Sequence, residues 1–116
     1  MNPVCTNQIN DEGTLHLSAA ARKLLPEKVR KSLPSLGSTS QQSDPTAMAK
    51  FFTPDSSWTW YAIEFDGLDT FYGLVDGAFR ELGTFSLSEL LSARGHLGLP
   101  VERDRYFEPT PLSKLP

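Results

Sequence analysis

Four short runs rich in aromatic and β-branched residues lie between residues 47 and 85, separated by three tight corners. No other stretch of the chain restricts its fold as much. The runs are Ala47–Phe52, Trp58–Phe65, Thr70–Val75 and Ala78–Phe85. The first corner is Thr53-Pro54-Asp55-Ser56, with proline at the favoured second turn position, and the second is Asp66-Gly67-Leu68-Asp69. The third is Asp76-Gly77, a pair that strongly favours a hairpin between strand-like runs. Loops this short cannot carry a parallel crossover, so the runs are predicted to form an antiparallel meander.

Period two sorts the second run into faces. Trp58, Trp60, Ala62 and Glu64 fall on one side, and Thr59, Tyr61, Ile63 and Phe65 on the other. Both sides are largely apolar, whereas a sheet wetted on one face alternates more cleanly. Either both faces are covered, or one displays aromatics for a purpose.

Helical signals flank the sheet. Ser18 is placed to cap a short helix over Ala19–Leu25. Pro26 fits the first turn of a second helix reaching Leu33, with Leu25, Val29 and Leu33 as its apolar stripe. Lys28, Arg30 and Lys31 lie off that stripe. Ser86 and Glu89 form a capping box ahead of Leu87, Leu90 and Leu91, and Gly95 is positioned to end that helix. Residues 35–46, rich in Ser, Gln, Thr and Gly, read as a flexible connection. Val101–Phe107 carries Glu102, Arg103, Asp104 and Arg105, alternating charges that suit an edge strand.

The predicted architecture is α+β, an antiparallel meander of four to five strands with two helices packed on it. With 116 residues there is room for one domain. Residues 1–21 are expected to be a polar N-terminal extension, in which Leu15 and Leu17 suit a short strand. Residues 22–112 then form the domain and 113–116 a tail.

Composition removes several functions. The net charge of −3 is too weak for a general attraction to nucleic acid. Charge is uneven, however: Arg22, Lys23, Lys28, Arg30 and Lys31 face one acid, Glu27, whereas Asp44 to Glu81 holds seven acids and two bases. One cysteine, Cys5, allows no intrachain disulfide, and no apolar run approaches membrane-spanning length. A cytoplasmic protein is expected, with no membrane association.

The catalytic inventory is thin. His16, His96 and Cys5 are not at metal-ligand spacing, so neither metal nor cofactor is expected. Asp66, Asp69 and Asp76 could converge on a cation, but aspartate is first a good turn residue. No serine elbow or cysteine–histidine pair is present. Glu64 and Glu81 are conceivable as a hydrolytic carboxylate pair, though solvated cross-strand positions explain them equally well. Gly95-His96-Leu97-Gly98 has the letters of a backbone-clamping loop, which helix termination already accounts for.

A longer resemblance runs through Phe51-Phe52-Thr53-Pro54-Asp55-Ser56-Ser57-Trp58-Thr59-Trp60-Tyr61, Phe71-Tyr72-Gly73-Leu74-Val75, Glu81-Leu82-Gly83, Phe85-Ser86-Leu87, and Arg94-Gly95 through Gly98-Leu99-Pro100-Val101-Glu102-Arg103-Asp104. These segments resemble the bacterial domain of unknown function 2958 over about residues 24–112. That resemblance implies an accessory role in plasmids, integrative elements or phages, and brings no catalytic residues.

The expected function is therefore a non-catalytic accessory binding protein of a mobile element, acting by protein–protein contacts, conceivably against a host defence component. Its contacts would come from Trp58, Trp60 and Tyr72 on the sheet, with Arg103 and Arg105. The alternative is a nucleic-acid-binding module using Lys28, Arg30 and Lys31 with stacking by Trp58 or Tyr72. A small hydrolase using sheet-end carboxylates ranks third.

Overall fold

The computed structural model describes residues 7–9 and 15–116. Cys5 lies outside the described residues. Strands β1 (Asn7–Ile9) and β2 (Leu15–Leu17) pair antiparallel, which adds a hairpin where the sequence suggests a tail.

The central sheet contains β4 (Ala49–Phe52), β5 (Thr59–Phe65), β6 (Thr70–Asp76), β7 (Arg80–Ser86) and β8 (Glu102–Arg103), in the order β7-β6-β5-β4-β8, all antiparallel. The meander forms as its corners predict. Asp66 Oδ1 accepts the amides of Leu68, Asp69 and Thr70 at 2.8–3.0 Å, while Gly67 takes φ +85°, a conformation open to glycine. The third corner closes through Gly77, Ala78 and Phe79, because Asp76 pairs with Arg80. That third loop is one residue longer than the Asp-Gly pair suggests. Val101–Phe107 supplies only a two-residue edge strand before turning away.

Helix α1 (Ala19–Leu24) starts where Ser18 Oγ accepts the amide of Ala21 at 3.1 Å. Helix α2 (Glu27–Ser32) follows Pro26, and α3 (Leu87–Ser92) follows Ser86, whose hydroxyl accepts the Glu89 amide at 3.0 Å. The fold is α+β as predicted, with three short helices where two are expected. An extension boundary at residue 21 falls inside α1, whose Ala21 is fully buried.

Two cores sandwich the sheet. On the helical face, Ala21, Leu24, Leu25 and Leu33 meet Leu87 and Leu90 over Phe51, Ala62, Phe65, Phe71 and Phe85. Phe71 is central there, stacked 4.5 Å from Phe65 and 5.1 Å from Phe85 between ring centroids. On the opposite face Ala47, Tyr61, Ile63 and Leu74 pack with Tyr72, Phe107, Leu112 and Leu115. Both faces are covered, which explains the blurred alternation of β5.

A bulge between Ala62 and Glu64 corrects the period-two sorting. Glu64 pairs with Tyr72 and Phe65 with Phe71, so Glu64 leaves the Trp60 face and Phe65 joins it. An extra residue flips every side chain beyond it.

Two supposedly mobile segments are folded. Gly37 and Thr39 donate their amides to Glu64 at 2.8 and 2.9 Å, and the Thr39 hydroxyl donates to the same carboxylate, so residues 35–46 wrap a buried acid. At the C-terminus, β9 (Thr110–Pro111) pairs with β3 (Thr46–Ala47), and a 3-10 turn spans Leu112–Lys114. Ser113 bonds Asp44 through its amide and hydroxyl, and Leu115 is buried, so residues 113–116 are part of the domain rather than a tail.

Candidate binding surfaces

Helix α3 is anchored at its start and flanked by two concave surfaces. Asp69 holds its first turn: the Asp69 carbonyl accepts the Leu87 amide at 2.8 Å, and its carboxylate accepts the Ser88 amide and hydroxyl at 2.9 and 2.7 Å. Leu87 and Leu90 are fully buried beneath.

A groove of about 730 Å³ runs between α1, α3 and the β8 edge. Leu24, Leu90, Leu91 and Val101 give it an apolar floor, and Lys23, Arg94, Arg103 and Arg105 give it a basic rim, against one acid, Glu102. The Arg103 Nε is buried without a hydrogen-bond partner. Such a donor carries a desolvation cost of about 1–3 kcal/mol until something accepts from it. Sequence reasoning finds Arg103 and Arg105 but misses Lys23 and Arg94, which come from other elements.

A smaller pocket of about 350 Å³ lies past the other flank of α3, lined by Trp58, Trp60, Val75, Phe85, Glu89, Ser92 and Ala93 among others. The two indoles are 5.9 Å apart, tilted by 32°. Trp60 is half-buried against the helical core, whereas Trp58 is 42% exposed. Trp58 seats over Gly77, where an added Cβ would come within 2.3 Å of its ring.

Tyr72 stands apart from both tryptophans. It belongs to the opposite core and lines a cavity of about 540 Å³ with Leu36, Leu82, Leu112 and Glu64. The aromatic platform expected from Trp58, Trp60 and Tyr72 is therefore split across the sheet. The α2 cations are not brought to it either. Arg30 and Lys31 are 3.8 and 3.5 Å from Glu27 on their own helix, and Lys28 is exposed.

The carboxylates suggested for chemistry have structural partners. Glu64 is 3% exposed; burial pushes its carboxyl up, but the donors of Thr39 and Gly37 outweigh this and hold it below its ordinary value. Residue Glu81 is two strands away, with β6 between. Asp66 caps its turn, Asp69 docks α3, and Asp76 pairs with Arg80 at 3.1 Å at the opposite end of β6. Among the described residues no group of three His, Cys, Asp or Glu could hold a metal ion.

The Gly95 region also differs from expectation. Helix α3 ends at Ser92 with Ala93 as its C-cap, and Gly95 packs on Asp55, where an added Cβ would meet the carboxylate at 1.5 Å. Asp55 accepts the amides of Leu97 and Leu99 at 2.7 and 3.3 Å. Burial raises its carboxyl, yet those amide bonds leave it below its ordinary value. Gly95 is thus needed for a close approach rather than for helix termination.

The fold and its surfaces define a small α+β sheet domain with a basic groove and a tryptophan-lined pocket on its helical face and a third cavity on the opposite face. Residues 19–115 match the family described as Protein of unknown function (DUF2958), and the chain belongs to that family. No curated protein and no solved structure matches it. None of the helices described is long and apolar enough to cross a membrane.

Proposed function

We propose that this protein is a non-catalytic binding protein that captures an acidic, partly apolar segment of another protein in the groove between α1, α3 and β8. The observation that carries this reading is the rim of Lys23, Arg94, Arg103 and Arg105 over a floor of leucines and Val101, with Arg103 Nε lacking an acceptor. Carboxylates supplied by a partner would satisfy arginine in a paired geometry, while the floor would take its apolar side chains. An accessory role in a mobile element, against a host or element-encoded protein, belongs to the same proposal and rests on the family resemblance.

The nucleic-acid alternative has less support. Its stacking residues Trp58 and Tyr72 lie on different faces, and two of its three α2 cations sit beside Glu27. Anisotropy of a labelled peptide alternating Glu and Leu tests the groove. Binding should weaken at least about tenfold on Arg103→Glu or Arg105→Glu. Peptide binding indifferent to both reversals would refute the reading. A labelled single-stranded oligonucleotide bound in place of the peptide, with affinity falling steeply in salt, would favour the alternative.

A further inference from the structure

We propose that the pocket walled by Trp58 and Trp60 is a recognition site for an organic cation, an ammonium or guanidinium group. This goes beyond the groove and does not depend on it, since the two surfaces share no lining residue.

The geometry points there in three ways. First, Trp58 and Trp60 present neighbouring indoles, the aromatic group that attracts cations most strongly, and Trp58 remains substantially exposed. An exposed tryptophan ring held in place by Gly77 keeps a partly open face at little conformational cost. Second, the charges around the pocket are negative. Glu89 lines it, and Glu81 shares its sheet face, because Trp60, Val75 and Glu81 form one cross-strand row. Neither glutamate forms an ion pair among the described residues; Glu89 accepts only the Ser86 hydroxyl at 3.1 Å. Third, no basic side chain lines the pocket. The nearest bases in sequence are turned elsewhere. Arg94 donates to the carbonyls of Leu91 and Ala93, and Arg80 to Asp76 and the Pro116 carbonyl. An aromatic wall with uncompensated carboxylates attracts a cation twice over, through the ring quadrupole and through charge. A volume near 350 Å³ fits a single side-chain head or a small free ligand.

The chain contains two tryptophans, and both are in this pocket, so intrinsic indole emission reads the site directly. The intact protein is titrated with choline chloride, N-acetyl-arginine amide and N-acetyl-lysine amide at constant ionic strength. Dimethylbutanol, the neutral carbon isostere of choline, is the control. A saturable change in emission with the cations and none with the isostere is the expected result. Trp58→Phe, which keeps an aromatic ring, and Glu89→Gln should each weaken it about three- to tenfold. Stronger binding of the amides would assign the site to a partner's side chain, and stronger binding of choline to a free quaternary ammonium ligand. No saturable response, or an equal response to the isostere, overturns the proposal. So does a response unmoved by both variants.

Discussion

The groove and the tryptophan pocket lie on opposite flanks of the same six-residue helix, yet their chemistry is inverted. Leu90, Leu91 and Arg94 face the groove, whereas Glu89, Ser92 and Ala93 face the pocket. One turn of helix separates a basic rim from an acidic one. Side chains project all round a helix, about 100° apart from one residue to the next, so a short helix can border two unlike surfaces. The weak net charge of the chain conceals local complementarity: bases gather from α1, the α3 end and the β8 segment, and acids from β7 and α3.

Both surfaces depend on the seating of α3. Leu90→Ala should cost about 2–5 kcal/mol, because the side chain is fully buried and ties α3, which borders both surfaces, to the helical core. Denaturant unfolding would measure this, and peptide and choline responses should fall together. A loss confined to one site would show that α3 is not their shared frame.

Next in size is the acid on the other side of the sheet. Glu64→Ala leaves the donors of Gly37 and Thr39 unanswered and should cost about 1–3 kcal/mol or somewhat more. Both binding responses should survive, because Glu64 borders neither surface. Protease sensitivity near residues 35–46 should rise.

Acid titration sharpens the same contrast. Asp44, Glu64, Asp55 and Asp66 all have carboxyls held below their ordinary values in the folded protein. Depressed folded values make stability fully present above the unfolded range near pH 4 and lost as pH falls through each folded value. Thermal melts should therefore be flat at neutral pH and decline below about pH 4–5. In Glu64→Ala that decline should be shallower.

Smaller effects should separate the two flanks. Ser86→Ala removes the α3 cap and should cost about 1 kcal/mol by denaturant unfolding. Gly77→Ala should change stability least, since the Trp58 ring is 42% exposed and can be displaced toward solvent, yet that displacement should shift tryptophan emission and weaken the cation response. Peptide binding in the groove should be unchanged. A silent emission spectrum would mean that Gly77 does not position Trp58.

How much was legible follows local chemistry. Asp66-Gly67 and Asp76-Gly77 act within their own turns, and Ser86 bonds three residues ahead, so these elements could be read from neighbouring residues. The family resemblance was legible too, because it rests on contiguous segments now matched over residues 19–115. Glu64 was misplaced because a bulge carries no dependable letter. Residues 35–46 read as flexible because their polar side chains conceal a partner, Glu64, some 25 positions away. Gly95 read as a helix stop because Asp55 lies forty residues earlier in the chain.

By itself, the sequence determined an antiparallel α+β domain, its corners and its caps, since each follows from interactions spanning a few residues. Tertiary structure alone decided that Tyr72 and the tryptophans face opposite ways, and that Lys23 and Arg94 join Arg103 and Arg105. Those outcomes depend on register and on how separate elements dock, and neither is encoded within any single stretch of chain.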